Sequence, residues 1–115
     1  MKLTKKQLKK IEKRELNMKD KEWRLSVLER DGKKCVICGN TNKVNVHHII
    51  PREVRALRHC EYNGISLCSS HHKWSLECSA HRNPYIFMLW MTEHRKNQLN
   101  LLNAQYLKMI RNSKI

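Results

Sequence analysis

Residues 33–53, KKCVICGNTNKVNVHHIIPRE, decide the fold, because they place a Cys-x-x-Cys turn shortly before two adjacent histidines. Cys35 and Cys38 have the spacing of a zinc knuckle, a tight turn that brings two thiolates within about 4 Å of each other. Gly39 follows the second cysteine, where such a turn favours a positive φ. The stretch therefore predicts one half of a metal site.

The second half of that site is predicted further along the chain, where Cys68 and His71 repeat the same spacing. Four ligands from two such turns would complete a Cys3His zinc site with no open position, so the metal would be structural. A chain with 30% charged residues has a thin core, which a metal can reinforce. The alternatives are free buried cysteines, or replacement of one ligand by Cys60 or Cys78.

The valines and asparagine of residues 44–46 alternate and predict a short strand that runs into His47 and His48. Two short strands flanking the histidine pair would form a hairpin-like unit. Adjacent strand residues point to opposite faces, so the two imidazoles should have different partners. Phosphodiester hydrolysis needs a base that deprotonates water and a cation that neutralises developing charge. A neutral imidazole with a pKa near ~6.5 suits the first task.

The net charge restricts the class of partner. Lysine and arginine number 24 against 10 acidic residues in 115, a formal charge of +14. This excess indicates a polyanion, either nucleic acid or an anionic membrane surface. No apolar run approaches the ~20 residues of a membrane span, and the polar start MKLTKKQLKK does not resemble a signal peptide. We therefore expect a soluble, cytoplasmic protein that acts on nucleic acid and has no membrane partner.

The number of cysteines and the positions of the acidic residues argue against further classes of site and enzyme. Five cysteines, an odd number, without an export signal favour metal binding over disulfides. Beyond Asp31 the acidic residues are Glu53, Glu61, Glu77 and Glu93. This distribution argues against a two-carboxylate glycosidase and against a carboxylate-rich two-metal nuclease.

Helices are predicted on both sides of the metal motifs. The segment before Gly32 lacks Gly and Pro, and its apolar residues form a thin stripe until Trp23 and Val27, which are placed to dock on a core. The lysine-rich start is either a solvated helix face or an arm that lies along phosphates. A short helix should begin near Ser69 or Ser70.

The C-terminal region is predicted to be helical from Asn83, a suitable N-cap, and Pro84, a suitable first residue. An apolar stripe continues from Phe87 towards the C-terminus, with a polar join at residues 96–98. Trp74 is expected to belong to the core and not to stack on nucleic-acid bases.

The order of the motifs CVIC, VHHIIP, NGISLC and SSHH resembles the HNH endonuclease family, with its ββα-metal active site, over about residues 23–90. The run SAHRNPYIFMLW is similar to a tail of phage-encoded members. The resemblance implies a small α+β fold, a treble-clef-like ββα-metal core with a zinc knuckle and flanking N-terminal and C-terminal helices. It implies a basic helix or arm over residues 1–22, a nuclease domain over residues 23–90 and a helical extension over residues 91–115.

The resemblance also implies roles for individual residues. His48 would be the general base, and His47 and His72 would bind a catalytic divalent ion. Asn63 would hold the loop together by hydrogen bonds so that His48 points correctly. His81 is a further candidate, either as a third ligand, as a phosphate contact or as a hydrogen-bonded structural residue.

Two positions depart from the family pattern. The second knuckle usually has two cysteines, whereas here it ends in His71, which leaves open whether His71 or His72 binds the zinc. The usual Asp before the base is His47 in this chain. Neutral imidazoles hold Mg²⁺ weakly, so we expect Mn²⁺, Ni²⁺ or Co²⁺ to support activity better than Mg²⁺.

Three arginines follow the histidine pair, Arg52, Arg55 and Arg58. They could clamp phosphate or stabilise the transition state, and the alternative is ordinary surface solvation. Since phosphate contacts carry little sequence information, binding through them would be largely independent of base sequence.

The sequence and the resemblance together predict a metal-dependent endonuclease that hydrolyses double-stranded DNA and leaves a 5′ phosphate and a 3′ hydroxyl. A monomer would nick, and a double-strand cut would need a homodimer or a second visit. The phage-like tail suggests a role in packaging or recombination, in the cytoplasm of a host cell. The alternatives are a non-catalytic zinc module that binds DNA, and a nuclease directed at RNA.

Overall fold

Two antiparallel strands and three α-helices make up residues 2–113, the part of the chain that the computed structural model describes. The helices and strands are α1 (Lys5–Arg30), β1 (Val44–His48), β2 (Gly64–Cys68), α2 (Pro84–His94) and α3 (Lys96–Ser113). Two 3-10 turns, Arg55–Leu57 and Glu61–Asn63, lie between the strands, and a π-helical turn, Ser70–Trp74, follows β2. This is the small α+β fold that the sequence predicts.

Local sequence explains both ends of α1. The Thr4 side chain accepts a hydrogen bond from the Gln7 backbone, and the Gln7 side chain accepts one from the Thr4 backbone, which together form a capping box. After the helix, Gly32 adopts a φ of +73°. The buried residues of α1 are Trp23 and Val27, so the helix docks through its second half and its first half is solvated, as the thin apolar stripe predicts.

The two strands pair antiparallel, and their register aligns the histidines. His47 lies opposite Ile65 and His48 lies opposite Gly64. The expectation that strands flank the histidine pair is wrong, because the pair closes β1 and the chain then bends at Ile49. The 15-residue loop that follows, residues 49–63, returns the chain to β2 through the two 3-10 turns. The histidines therefore sit at the sheet's end, where a cavity can form.

Gly64 allows α1 to approach the sheet closely. A Cβ at this position would lie 2.6 Å from Cγ2 of Val27 and 2.7 Å from the ring of Trp23. Both distances are below van der Waals contact, so no larger residue fits without a shift of the helix. Glycine at position 64 is thus a packing requirement between α1 and β2.

The C-terminal region consists of two helices, whereas the sequence predicts one continuous helical region. Asn83 caps α2 by accepting a hydrogen bond from the Ile86 backbone, and Pro84 is its first residue, as predicted. The helix ends at Arg95, whose φ and ψ are −129° and 36°. The Arg95 side chain donates to Asp31 and to Gln98, so long-range polar contacts accompany the break. No helix in residues 2–113 is both long and apolar enough to cross a bilayer.

Asp31 joins three parts of the fold. Its carboxylate, 1% exposed, accepts hydrogen bonds from Arg30, from Arg95 and from the Ser66 backbone of β2. Burial raises the pKa of Asp31, but the Arg30 guanidinium and the hydrogen bonds from Ser66 outweigh it, so the pKa lies below its usual value. The sequence marks Asp31 only as a helix end, but the residue ties α1, β2 and the α2–α3 junction together.

The expectation that Trp74 belongs to the core is wrong. Its side chain is 66% exposed at the end of the π-helical turn. The core is built from β2, the first knuckle turn, the loop before α2 and α2 itself, through Cys35, Ile65, Leu67, Cys68, Ala80, Phe87 and Met91. Trp74 comes from a turn of only five residues and does not belong to this cluster of buried residues.

Candidate metal centres and active site

Cys35, Cys38, Cys68 and His71 form one cluster whose ligand atoms all lie within 4.8 Å of one another. The Sγ atoms of Cys38 and Cys68 are 3.8 Å apart, and Nδ1 of His71 lies 3.2 Å from Sγ of Cys68 and 3.7 Å from Sγ of Cys35. A tetrahedral zinc with Zn–S bonds of ~2.3 Å and Zn–N bonds of ~2.0 Å requires about 3.8 Å between sulfurs and about 3.5 Å from sulfur to nitrogen. The four residues therefore fit zinc.

Backbone hydrogen bonds shape the first knuckle turn. The Gly39 N–H donates to the Cys35 carbonyl at 2.8 Å, and Gly39 has the positive φ expected of it, +77°.

Burial raises the pKa of the Cys35 thiol, but hydrogen bonds from backbone groups outweigh it and the net shift is downwards. Burial and the neighbouring thiols raise the pKa of Cys38. Adjacent thiolates repel each other, and a bound dication would remove that repulsion.

The zinc ligands follow the predicted spacing, and the structure distinguishes the two neighbouring histidines. His71 belongs to the cysteine cluster, whereas His72 belongs to a separate group of histidines. Cys60 and Cys78, the alternative ligands, belong to neither group within residues 2–113. The π-helical turn thus sends consecutive imidazoles to two different sites.

His47, His72 and His81 form the second cluster, with ligand nitrogens within 4.8 Å of one another. The Nε2 atoms of His72 and His81 are 3.0 Å apart, a separation at which two imidazoles can share a proton or bind one ion. The His81 backbone donates to the His72 carbonyl at 2.9 Å, which fixes the loop before α2 against the π-helical turn. The sequence allows three interpretations of His81. In the structure this residue lies beside His47 and His72, the two predicted ligands.

The environment keeps two of these imidazoles uncharged. Burial, followed by the neighbouring histidines, lowers the pKa of His47 to about 3. Burial, followed by His81 and Lys73, lowers the pKa of His72 to about 4. Both rings are neutral near pH 7, and each neutral ring has a nitrogen lone pair that can bind a cation.

His48 points to the opposite face of β1, as strand alternation predicts. Its ring stacks on Trp23 with centroids 3.9 Å apart and an interplanar angle of 10°. Its Nε2 lies 2.9 Å from the Arg58 carbonyl oxygen. Because a carbonyl oxygen can only accept, Nε2 carries the hydrogen, and the lone pair of the neutral ring is on Nδ1. Burial is the main cause that lowers the pKa of His48.

One cavity connects the base candidate and the histidine cluster. It has a volume of about 480 Å³, and its lining includes His47, His48, His72 and His81 together with Arg52. Glu53 also lines the cavity, although it belongs to neither ligand group. A cavity of this size is in the range that accommodates small-molecule groups. It can therefore admit a phosphate and a water between the two kinds of histidine.

The Asn63 side chain stabilises the loop that contains Arg58, whose carbonyl oxygen accepts the hydrogen bond from His48. The fully buried side chain accepts a hydrogen bond from the Ile50 backbone N–H and donates to the carbonyls of Ile50 and Leu57. The bonded backbone groups belong to Ile50 and Leu57, at the two ends of the segment 51–56. Leu57 directly precedes Arg58, the residue that provides the acceptor for His48. The hydrogen bonds that the resemblance implies for Asn63 are therefore present in the structure.

The three arginines do not form one group. Arg52 lines the histidine cavity, and Arg55 lines a different cavity beside Lys9 and Lys13 of α1. The guanidinium of Arg58 is bound by Asp20 at 2.6 and 2.9 Å. Of the three, Arg52 is the one positioned beside the histidines.

Asp20 and Trp23 are site residues that sequence reasoning missed. Asp20 holds Arg58 and His59, and the hydrogen bond from Arg58 is the main cause that lowers the pKa of Asp20 to about 2. The indole N–H of Trp23 donates to the Cys60 carbonyl at 2.8 Å. The signal available in the sequence is their i, i+3 spacing, which puts both on the face of α1 that also carries Val27.

Comparison with protein-family models matches residues 35–75 to the HNH endonuclease family. The match contains both knuckle turns, the histidine pair, Asn63 and His72, and it does not extend to His81 or to the run that resembles phage proteins. The comparisons with curated proteins and with solved structures gave no match. The resemblance is therefore confirmed for residues 35–75, which carry the whole Cys3His cluster and two of the three clustered histidines, His47 and His72.

Proposed function

We propose, from the premise that residues 35–75 are an HNH endonuclease domain, that this protein is a metal-dependent endonuclease that hydrolyses phosphodiester bonds of DNA. One observation carries the proposal: a single cavity is lined by an imidazole whose lone pair is on Nδ1, His48, and by a group of three imidazoles suited to a cation. These are the two chemical functions that phosphodiester hydrolysis requires.

His48 would act as the general base. Its Nδ1 takes the proton of the attacking water, and the imidazolium that results keeps its Nε2–H on the Arg58 carbonyl. The carbonyl dipole stabilises this charged form, and the stacked ring of Trp23 fixes the imidazole plane. Water attacks phosphorus, the bond from phosphorus to the 3′ oxygen breaks, and the leaving oxygen takes a proton from solvent. The products are a 5′ phosphate and a 3′ hydroxyl, and His48 returns its proton to solvent.

His47 and His72 would hold the catalytic divalent ion, with His81 as a third ligand. When bound, the ion supplies a positive charge that polarises the phosphate and stabilises the leaving oxygen. The three protein donors are imidazole nitrogens, which bind borderline ions such as Mn²⁺, Co²⁺ and Ni²⁺ better than Mg²⁺. We therefore expect Mg²⁺ to give the lowest activity in a metal series.

The Cys3His cluster would hold a structural zinc. Four protein ligands leave no position for substrate, so this metal contributes by joining the first knuckle turn to the π-helical turn. The neighbour of its ligand His71 is His72, so the zinc also positions a ligand of the catalytic ion. We expect one tightly bound zinc per chain, which chelators remove together with activity.

Double-stranded DNA is the proposed substrate, because the net charge of +14 favours a polyanion. Arg52, beside the histidines, would contact the scissile or an adjacent phosphate. One cavity of this kind cuts one strand, so a single copy would nick.

The test is conversion of supercoiled plasmid to the nicked form across a series of divalent ions. His48→Ala should lower the nicking rate by about 10² or more, the usual contribution of a general base, while zinc content and DNA affinity stay unchanged. His94→Ala is the matched control, since this exposed histidine lies on α2 and stacks on Trp90 outside the cavity.

The outcomes separate the three interpretations. Nicking by His48→Ala at the wild-type rate would contradict the base assignment. A wild-type protein that binds DNA and zinc but cuts nothing would be a non-catalytic zinc module. RNA degraded beside intact plasmid, with the same ions, would identify a nuclease directed at RNA.

A further inference from the structure

A second groove adjoins the histidine cavity. Its volume is about 410 Å³, and its lining residues are Arg24, Asn45, Val46, Ser69, His72, Lys73 and Trp74. Val46 and His72 line both this groove and the histidine cavity. Any group that occupies the groove therefore lies next to the proposed cleavage position.

Trp74 is the unusual member of this lining. Its side chain is 66% exposed, although indole is among the most apolar side chains. Its backbone is nevertheless held firmly, because the Trp74 carbonyl accepts a hydrogen bond from Arg82 at 3.1 Å and the Ser75 N–H closes the turn onto the Ser70 carbonyl at 2.8 Å. The indole is thus an open aromatic surface, carried by an anchored backbone two residues after His72.

The remaining lining residues indicate the chemistry of the occupant. Arg24 and Lys73 are exposed cations, and Asn45 and Ser69 add polar groups. A wholly apolar ligand would leave these charges unpaired, whereas a nucleotide offers a phosphate to the cations and a flat base to the indole. The overall charge of +14 acts in the same direction.

We infer that this groove, here called the Trp74 groove, binds an unpaired nucleotide of DNA next to the scissile phosphate, with its base stacked on Trp74. The inference rests on the proposed function for the position of the scissile phosphate. A base within an intact duplex has both faces covered by its neighbours, so the indole can reach one only where the nucleotide is unpaired or turned out of the helix. Within double-stranded DNA, the protein therefore acts preferentially beside gaps, flaps or short single-stranded segments.

Binding is measured first, without cleavage. The zinc-loaded protein carrying His48→Ala is titrated with a single-stranded DNA oligonucleotide and with the matching duplex, and tryptophan fluorescence is followed. We expect the single strand to quench the fluorescence. Adding Trp74→Ala should remove that quenching and weaken single-strand binding by on the order of tenfold, the usual effect of losing one base–aromatic stack. Duplex affinity should fall by a smaller factor.

Two further variants make the result specific. Trp74→Phe keeps an aromatic face and should restore most of the single-strand affinity. Leu76→Ala is the matched control, because Leu76 is 64% exposed on the same segment but does not line the groove. Trp74 is exposed, so its replacement should leave folding intact, which zinc content and circular dichroism verify.

Cleavage is measured second, on a gapped duplex and an intact duplex of the same sequence. Trp74→Ala should lower kcat/KM on the gapped duplex several-fold more than on the intact one. Equal losses on both, or no loss of single-strand binding, would overturn the inference. Tighter Trp74-dependent binding of RNA than of DNA would overturn the assignment to DNA. A protein that shows Trp74-dependent binding but never cuts would support the groove and refute the nuclease.

Discussion

Replacement of Asn63 by alanine tests whether one buried amide organises the active-site loop. The amide makes three hydrogen bonds, two with Ile50 and one with Leu57, and its side chain has no exposed surface. Alanine cannot replace any of these bonds, so the Ile50 N–H and the Ile50 carbonyl lose this side-chain partner, and the Leu57 carbonyl keeps only the Cys60 N–H. The loop then keeps its backbone hydrogen bonds but no side-chain bond that joins Ile50 to Leu57.

The magnitude follows from counting those bonds. A neutral hydrogen bond contributes about 1 kcal/mol to stability, and more where the abandoned group stays buried. Three lost bonds should therefore lower the free energy of unfolding by roughly 3 kcal/mol, a large part of the 5–15 kcal/mol typical of a domain. The midpoint of thermal unfolding should fall by on the order of 12 °C.

Activity should fall further than stability alone requires. Leu57 precedes Arg58, whose carbonyl orients His48, and a displacement of about 1 Å in a catalytic group can cost ~10²-fold in rate. We expect plasmid nicking by Asn63→Ala to drop about 10- to 100-fold at a temperature where the variant remains folded. Zinc content should not change, because no zinc ligand contacts the amide.

The measurements are urea unfolding at saturating zinc and plasmid nicking at 20–25 °C. Asn103→Ala serves as the control, since it removes an exposed amide from α3. A variant with wild-type unfolding and wild-type nicking would show that the loop does not depend on Asn63, and the assignment of this residue would have to be abandoned.

Three other substitutions probe the frame around the site. Asp31→Ala removes a buried acceptor shared by two arginines and a strand N–H, and should lower the free energy of unfolding by about 3 kcal/mol in urea. Gly64→Ala puts a methyl group 2.6 Å from Val27. It should cost about 1–3 kcal/mol, and an unchanged midpoint would mean that α1 is free to shift. The hydrogen bond from Arg58 lowers the pKa of Asp20 from 3.8 to about 2. The ionised carboxylate thus stabilises the fold above about pH 4 and loses this effect as pH falls through about 2. Wild type should therefore lose its advantage over Asp20→Asn in that window.

Features that depend on local chain geometry could be predicted from the sequence. A two-residue spacing forces both ligands of a knuckle to the same side of a turn, which is why the spacing of Cys35 and Cys38 is enough to pair them. The different partners of His47 and His48 could also be predicted, because adjacent residues of a strand point to opposite faces. The caps at Asn83 and Gly32 depend only on adjacent residues, and both are present.

Features that depend on contacts between residues distant in the chain could not be predicted from the sequence. The end of α2 at Arg95 coincides with an ion pair to Asp31, 64 positions earlier in the chain. Asp31 satisfies the pattern of a helix end, and nothing near it in the sequence reveals its partners. Trp74 illustrates the opposite error, because an apolar side chain indicates burial only if a neighbouring element is available to cover it.

The two pairs of adjacent histidines explain how so small a chain can build two clusters of possible metal ligands. At His47–His48 the pleat of β1 sends one ring to the cation cluster and the other to Trp23. At His71–His72 the π-helical turn sends one ring to the thiols and the other to the same cation cluster. His71 contacts the thiols while its neighbour His72 reaches the cavity, whereas His47 and His48 line the same cavity from different faces of β1. The proposed zinc at His71 and the stack at His48 would therefore limit the freedom of His72 and His47, so that the proposed cation site would be pre-organised by contacts made outside it.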